Sequence, residues 1–282
     1  MIKKVSIIGS IIIIAILIYI CVHGGNNMKK KYEANVEKNL LSSEMDDRIL
    51  TNNNISYLPE PVQKYLNYVG VIDNPRVENM KVEIEGEMKQ GVDKPWMKVK
   101  VEQHNFYKKY ARLFYIKGRM FGIPLIGTDS YIEGKGNMII KLASLVKVVD
   151  ESGEIMNKAA LVTLLNDMCI LSPAALVDNR IKWEAIDDLN AKCSIEDDGN
   201  KVYATLYFND IGELINFETY DREFLDSNGN YIKAKWSTPI KDYKTVDGIT
   251  YPTYGEAVWH LEDGDFTYAK FNVKDVKYNV SK

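Results

Sequence analysis

The sequence predicts a mainly β (α+β) fold: a strongly curved antiparallel sheet or half-open barrel with one helical insertion, preceded by a single transmembrane helix. Three observations carry this expectation. Period-two alternation of apolar and polar residues recurs from Val82 to Val149 and from Ile181 to Tyr278, broken by turn formers such as Asp198-Gly199-Asn200, Asn228-Gly229-Asn230 and Asp247-Gly248. Between them the period lengthens: Ile155, Ala159, Val162, Leu165 and Met168 recur at helical spacing. The chain also opens on an uncharged, isoleucine-rich run from Val5 to Val22.

In chain order, residues 1–27 read as a membrane anchor. The apolar run would reach ~27 Å as a helix, enough to cross a bilayer core. No small-x-small cleavage site follows it, as a secretory signal peptide would require, and the bulky Ile20 before Cys21 disfavours a lipoprotein site. Lys3 and Lys4 on one side and Lys29, Lys30 and Lys31 on the other leave the positive-inside rule balanced. The short, signal-like N-terminal flank gives the expectation of a single-pass membrane protein with its soluble domain extracytoplasmic. Residues 28–55 turn polar and read as a solvated helical stalk.

Residues 56–282 then read as one domain. Prolines at positions 59 and 61, followed by Val62, Tyr65, Leu66 and Val69, predict a short amphipathic helix ending at Gly70. A hairpin follows, with Val82 and Ile84 on one strand, Val99 and Val101 on the other, and a turn at 91–95. Strands are expected over 111–117, 130–136 and 137–149. The helical insertion lies near 154–178, with Ser172-Pro173 starting a second helix. Strand patterns return at 181–186, 191–195, 202–208, 214–220, 231–239, 240–246, 250–260 and 267–278. So long a sheet must curl or split into two layers to cover its apolar face.

Composition excludes several function classes. A net charge of −3 spread over 36 basic and 39 acidic side chains offers no basic footprint for nucleic acid. Three histidines and three cysteines do not form a metal signature, so no metal or cofactor is expected. Cys169 and Cys193 could pair as a disulfide or remain two buried thiols. The run Glu262-Asp263-Gly264-Asp265 lacks the spacing and closing glutamate of an EF-hand loop and suits a hairpin turn. No G-x-S-x-G element or phosphate-binding glycine loop is present.

Two sets of residues remain as site candidates. Glu102, Asp129 and Glu256 fall on or beside predicted strands, where inward-facing carboxylates could do acid–base work, with His260 nearby in sequence. Trp96, Trp183, Trp236, Tyr243 and Trp259 lie in or near strands and could line a pocket for an apolar ligand in the concavity, or simply fill it as core.

Several long strings also resemble a known family: Leu58-Pro59-Glu60-Pro61-Val62-Gln63-Lys64-Tyr65, Lys94-Pro95-Trp96-Met97, Tyr131-Ile132-Glu133-Gly134-Lys135-Gly136, Lys182-Trp183-Glu184-Ala185-Ile186-Asp187-Asp188, Trp236-Ser237-Thr238-Pro239-Ile240-Lys241-Asp242-Tyr243 and the segment Gly255 to Phe266. They are similar to an uncharacterised bacterial family of the DUF6544/DUF6920 type. That resemblance implies no activity and transfers no residue roles. The strand-helix-strand order is also similar to that of the LolA and LolB type of periplasmic lipoprotein carrier, a likeness of architecture alone.

These readings combine into one expectation: a membrane-anchored domain at the bacterial cell envelope that binds a lipid or other apolar ligand. An envelope-associated hydrolase using inward carboxylates, or a scaffold without a small-molecule site, are the alternatives.

Overall fold

The computed structural model describes residues 27–43, 46–226 and 228–281. The expected membrane anchor lies outside the described residues. Among those described, no helix is long and apolar enough to cross a membrane.

Three helices come first: α1 over residues 27–42, α2 (Asn52–Ile55) and α3 (Glu60–Tyr68). A six-stranded meander follows, formed by β1 (Asn79–Met88), β2 (Met97–Phe106), β3 (Ala111–Met120), β4 (Ile123–Ile132), β5 (Lys135–Leu142) and β6 (Val146–Ser152). Helix α4 (Glu154–Leu171) and a 3₁₀ turn (Pro173–Leu176) interrupt the strands. The second half contains β7 (Lys182–Ala185), β8 (Asn190–Asp197), β9 (Asn200–Phe208), β10 (Leu214–Thr219), β11 (Glu223–Leu225), β12 (Tyr231–Lys233), β13 (Lys235–Ser237), β14 (Ile240–Val246), β15 (Ile249–Leu261) and β16 (Gly264–Tyr278). Where a single strand was expected over 137–149 there are two, because Ala143 and Ser144 both take positive φ and reverse the chain. The expected strand 130–136 likewise straddles the turn at Glu133 and Gly134. The second helix expected from Ser172-Pro173 is one turn of 3₁₀.

Fourteen of these strands form one antiparallel sheet, ordered β6-β5-β4-β3-β2-β1-β16-β15-β13-β10-β9-β8-β7, with β14 also paired to β15; β11 and β12 make a separate hairpin. No ladder joins β6 to β7, so the sheet is not a closed barrel. Its two halves nevertheless meet. The Tyr131 hydroxyl on β4 donates to Asp197 Oδ2 on β8 at 2.7 Å, and Asn200 Nδ2 donates to the Gly134 carbonyl at 2.9 Å. Strands far apart in the order can touch only if the sheet bends around what lies between them, and α4 lies there, contacting β3 to β6 on one side and β9, β10 and β15 on the other.

The inner row of cross-strand partners shows how the bend is accommodated. Gly255 pairs with Phe271, Phe271 with Gly86, Gly86 with Val99, Val99 with Gly118, and Gly118 with Leu125. Glycine alternates with bulk across six strands, which lets neighbouring backbones and the Phe271 ring close in. A Cβ on Gly86 would stand 2.1 Å from the Lys270 carbonyl oxygen and 2.8 Å from Cδ1 of Phe271.

Helix α4 is apolar on nearly every side, as a helix enclosed by a sheet must be. Leu161, Val162, Leu164, Leu165, Met168 and Cys169 are fully buried. Its N-terminal half lies close on β5 because residue 136 is glycine: a Cβ there would meet the Met156 carbonyl oxygen at 2.3 Å. Helix α3 packs Val62, Tyr65 and Leu66 inward, and the Tyr65 hydroxyl donates to the Cys169 carbonyl at 2.7 Å. Cys169 and Cys193 are both free and buried, and burial pushes the Cys169 thiol pKa up.

Residues 27–42 are helical but are not solvated all round, and the helix does not run on through the stalk expected over 28–55: Leu50 and Ile55 are buried in the main core. Tyr32 and Val36 are buried on the outer face of the sheet against Phe106, Ala111, Leu113 and Tyr115. The apolar pair one turn apart supplies the stripe that polar composition alone concealed. Tyr32 Oη and His104 Nδ1 are hydrogen-bonded at 2.8 Å beneath the helix, and Lys29 Nζ donates to Glu102 Oε2 at 2.6 Å at its edge.

Candidate ligand cavity

Between α4 and the concave face of the sheet lies a cavity of ≈ 340 Å³. It extends across the sheet from Trp236 on β13 to Met138 on β5, and its wall is largely aliphatic and aromatic: Ile84, Met97, Phe114, Ile116, Ile140 and Phe271 are representative. Gln90, which is exposed in the turn after β1, marks where it reaches solvent. Thr163, Asn166, Asp167 and Ile170 line the helical side, at the spacing of one helix face.

Two charged features interrupt the apolar wall, one buried and one half-buried, and Lys89 joins it beside Gln90 at the mouth. Arg112, only 5 % exposed at its side chain, donates from Nη1 to Asp129 Oδ2 at 2.6 Å and from Nε to Asp167 Oδ2 at 2.8 Å. Gln103 Nε2 and Asn105 Nδ2 donate to the same Asp167 oxygen at 2.7 and 3.1 Å. Burial works against the guanidinium charge, but the facing carboxylates Asp129 and Asp167 outweigh it and raise the Arg112 pKa above its usual value. The cluster is internally paired, except that Asp129 Oδ1 is buried with no hydrogen-bond partner in the protein.

Arg222 is the second feature. It follows the turn in which the Asp221 N–H donates to Thr219 Oγ1 and Asp221 Oδ2 accepts from the Tyr203 N–H. This presents the guanidinium over two indoles, 4.4 Å from the Trp236 ring centroid and 5.8 Å from that of Trp259. Nη1 donates to Thr163 Oγ1 at 3.2 Å, while Nε is buried without a partner. Trp236 is itself held by a hydrogen bond from Nε1 to the Tyr268 hydroxyl.

The residues singled out from sequence divide accordingly. Asp129, Trp236, Glu256 and Trp259 contribute to the cavity wall. Glu256, however, belongs to the cross-strand row Glu256, Lys270, Glu87, Lys98, which alternates with the inward glycine row, so its carboxylate faces outward and accepts from the Tyr254 hydroxyl at 2.5 Å. Trp96 lies in an outer groove beneath the ammonium groups of Lys89 and Lys270. Glu102 is also on the outer face; burial raises its carboxyl pKa, but the Lys29 ammonium outweighs this and holds it below the usual range. Trp183 is on β7 at the sheet edge, half-buried, with Nε1 unpartnered. Tyr243 packs edge-on against Tyr68 of α3 and donates to the Leu214 carbonyl. Sequence reasoning missed Arg112, Asp167 and Arg222.

His260 is also outward, where its ring completes a Ser-His-Asp chain: Ser237 Oγ to His260 Nε2 at 2.8 Å, and His260 Nδ1 to Asp265 Oδ1 at 2.7 Å. The distances match those of a hydrolytic triad, but the accessibility is reversed. The nucleophile position, Ser237, is 2 % exposed, whereas the Asp265 side chain is 66 % exposed. Among the described residues Ser237 lines none of the four main cavities, and its burial leaves Oγ no open face for a substrate carbonyl. The chain is a polar cross-strand clasp. Among the described residues no group of three histidine, cysteine or carboxylate side chains is placed to hold a metal.

Comparison with known proteins gives a family. A family model described as a family of unknown function, DUF6544, matches residues 48–271. The chain belongs to DUF6544. The matched region begins shortly after α1 and takes in the residues of the cavity wall except Val273. No match was found among curated proteins. Among solved structures, this DUF6544 chain is similar to a DUF1329 family protein from Desulfovibrio piger, at 12% identity over 80% of this chain and 95% of that one, with a TM-score of 0.46. It is also similar to a LolA superfamily protein from Nitrosomonas europaea, at 12% identity over 78% of this chain and 94% of that one, with a TM-score of 0.41.

Proposed function

We propose that the domain binds an apolar ligand in the cavity between α4 and the sheet. The observation that carries this reading is the cavity itself: ≈ 340 Å³ of space walled mainly by aliphatic and aromatic side chains and reaching solvent at Gln90. That volume is at the lower end of the ~300–1,000 Å³ of small-molecule sites, which suits a single acyl chain or a compact apolar molecule. The glycine row supports the reading because it keeps side chains out of the space the curved sheet encloses. The apolar run 5–22 would hold the domain at a membrane, where such ligands concentrate, and an extracytoplasmic position at the bacterial envelope is part of the same proposal.

Hydrolysis by converging carboxylates is less well supported. Of Glu102, Asp129, Glu256 and His260, only Asp129 directs its polar group toward the cavity. The test is uptake of a neutral apolar dye by the full chain. Binding is expected with wild type and is expected to fall at least tenfold with Ile140→Trp, which fills the cavity from β5. Equal uptake by both proteins would count against the cavity as the site.

A further inference from the structure

Resting on that reading, we infer that the ligand is a single-chain amphiphile with an oxyanion headgroup, and that Arg222 receives that headgroup. The two arginines of the cavity wall differ in what pairs with them. Arg112 is satisfied by two carboxylates and carries no open charge toward a ligand. Arg222 has no carboxylate within ion-pair distance among the described residues, and its one hydrogen bond goes to a neutral threonine. Its Nε lies buried and unpartnered.

A buried guanidinium edge left without an acceptor is costly, and such groups in native proteins call for an explanation. The two indoles account for the face of the ion but not for its N–H donors: cation–π contact satisfies charge along the ring normal and leaves the in-plane donors free. Those donors form the planar fork that pairs with carboxylate or phosphate oxygens. Trp236 and Trp259 fix the plane of that fork, and Thr163 on α4 fixes its rotation. From Arg222 the apolar wall runs away across β15, β16 and β1 toward β5, so a chain attached to an oxyanion held at Arg222 would lie along Phe271, Ile84 and Ile140. A cationic head is disfavoured at this end by Arg222. At the other end two carboxylates, Asp129 and Asp167, face the one guanidinium of Arg112, so an anionic head is disfavoured there and Arg222 is left to receive it.

The experiment is binding to the full chain, held in amphipol, read by quenching of tryptophan fluorescence with brominated sixteen-carbon probes that share a chain and differ in head: carboxylate, phosphate monoester, alcohol and trimethylammonium. Carboxylate or phosphate is expected to bind tenfold or more tightly than the alcohol, and the stronger of the two identifies the oxyanion. Arg222→Gln should bring the anionic probes to within about twofold of the alcohol measured on the same variant, the loss expected for a charge-assisted pair. Near-UV circular dichroism checks that the variant is folded, and the wild-type comparison stands without it. Equal binding of all heads by wild type overturns the headgroup assignment and leaves the apolar-cavity reading intact. An anion preference that survives Arg222→Gln overturns the role of Arg222. Failure of every probe to bind overturns both.

Discussion

Arg112 Nε on β3 stands 2.8 Å from Asp167 Oδ2 on α4, and this bond fastens the enclosed helix to the inner face of the sheet. Truncating the arginine would leave Asp129 and Asp167 buried without a counter-ion, Asp167 keeping only its neutral donors Gln103 and Asn105. Arg112→Met should therefore lower stability by about 3–5 kcal/mol, the usual cost of orphaning a buried charge. Asp167→Asn, which keeps an acceptor for Arg112, should cost less. Urea unfolding of the two variants against wild type checks both the size and the order.

A second prediction concerns the distance between α4 and the sheet. Gly136→Val would place a Cβ against the Met156 backbone oxygen, and the neighbour is main chain, which cannot rotate away. A loss of about 1–3 kcal/mol is expected from overpacking. Gly153→Ala is a useful contrast. No atom lies within 4 Å of a Cβ at that position, so any loss reports its positive φ of 101° alone. Thermal unfolding of the pair separates the steric from the conformational term.

The docking of α1 should depend on pH through His104. Burial pulls its pKa down from 6.5 to about 4, with the Lys81 and Lys29 charges acting in the same direction and Glu102 opposing them. Because the docked pKa is below the free value, the undocked state binds more protons. The stabilisation is therefore fully present above pH 6.5 and is lost as pH falls toward 4, by an amount on the order of 3 kcal/mol. Amide hydrogen exchange over residues 27–42 should accelerate through that window, and His104→Gln should flatten the response. Unchanged protection at pH 4 would show that Tyr32 and Val36 hold the helix without the histidine.

The Ser237–His260–Asp265 chain yields a chemical prediction. With Ser237 sealed beneath the sheet surface, a fluorophosphonate probe should leave the folded protein unlabelled. A stoichiometric adduct on Ser237 would contradict the clasp reading and make hydrolysis the better account.

Much of this fold is legible in the sequence because local rules decide it. The hairpin of β1 and β2, the helical spacing of Ala159, Val162 and Leu165, and the turn at Asp198-Gly199 each follow from period and backbone preference. The expectation that Glu102 faces inward fails although the signal was local: it shares alternation parity with Lys98 and Lys100 and alternates with Val99 and Val101, which places it outward. The other failures are long-range. Opposite Ala257 and Val258, and opposite Glu83 and Ile84, β16 carries one extra residue each time, Tyr268 and Lys274, so the face of a residue on β16 cannot be assigned by counting through these bulges. Arg112 and Asp167 are 55 residues apart. Nothing local distinguishes them from solvated charges. Arg222 escaped because it lies in a turn, and only the fold brings Trp236 and Trp259 beneath it.

The most direct test of the central claim is native mass spectrometry of the full chain after mild purification from cells, followed by organic extraction. The account predicts a bound species that leaves with the solvent, carries one apolar chain, and is diminished when Ile140→Trp fills the cavity. An unliganded mass from wild type, together with no uptake of sixteen-carbon probes offered in excess, would contradict it.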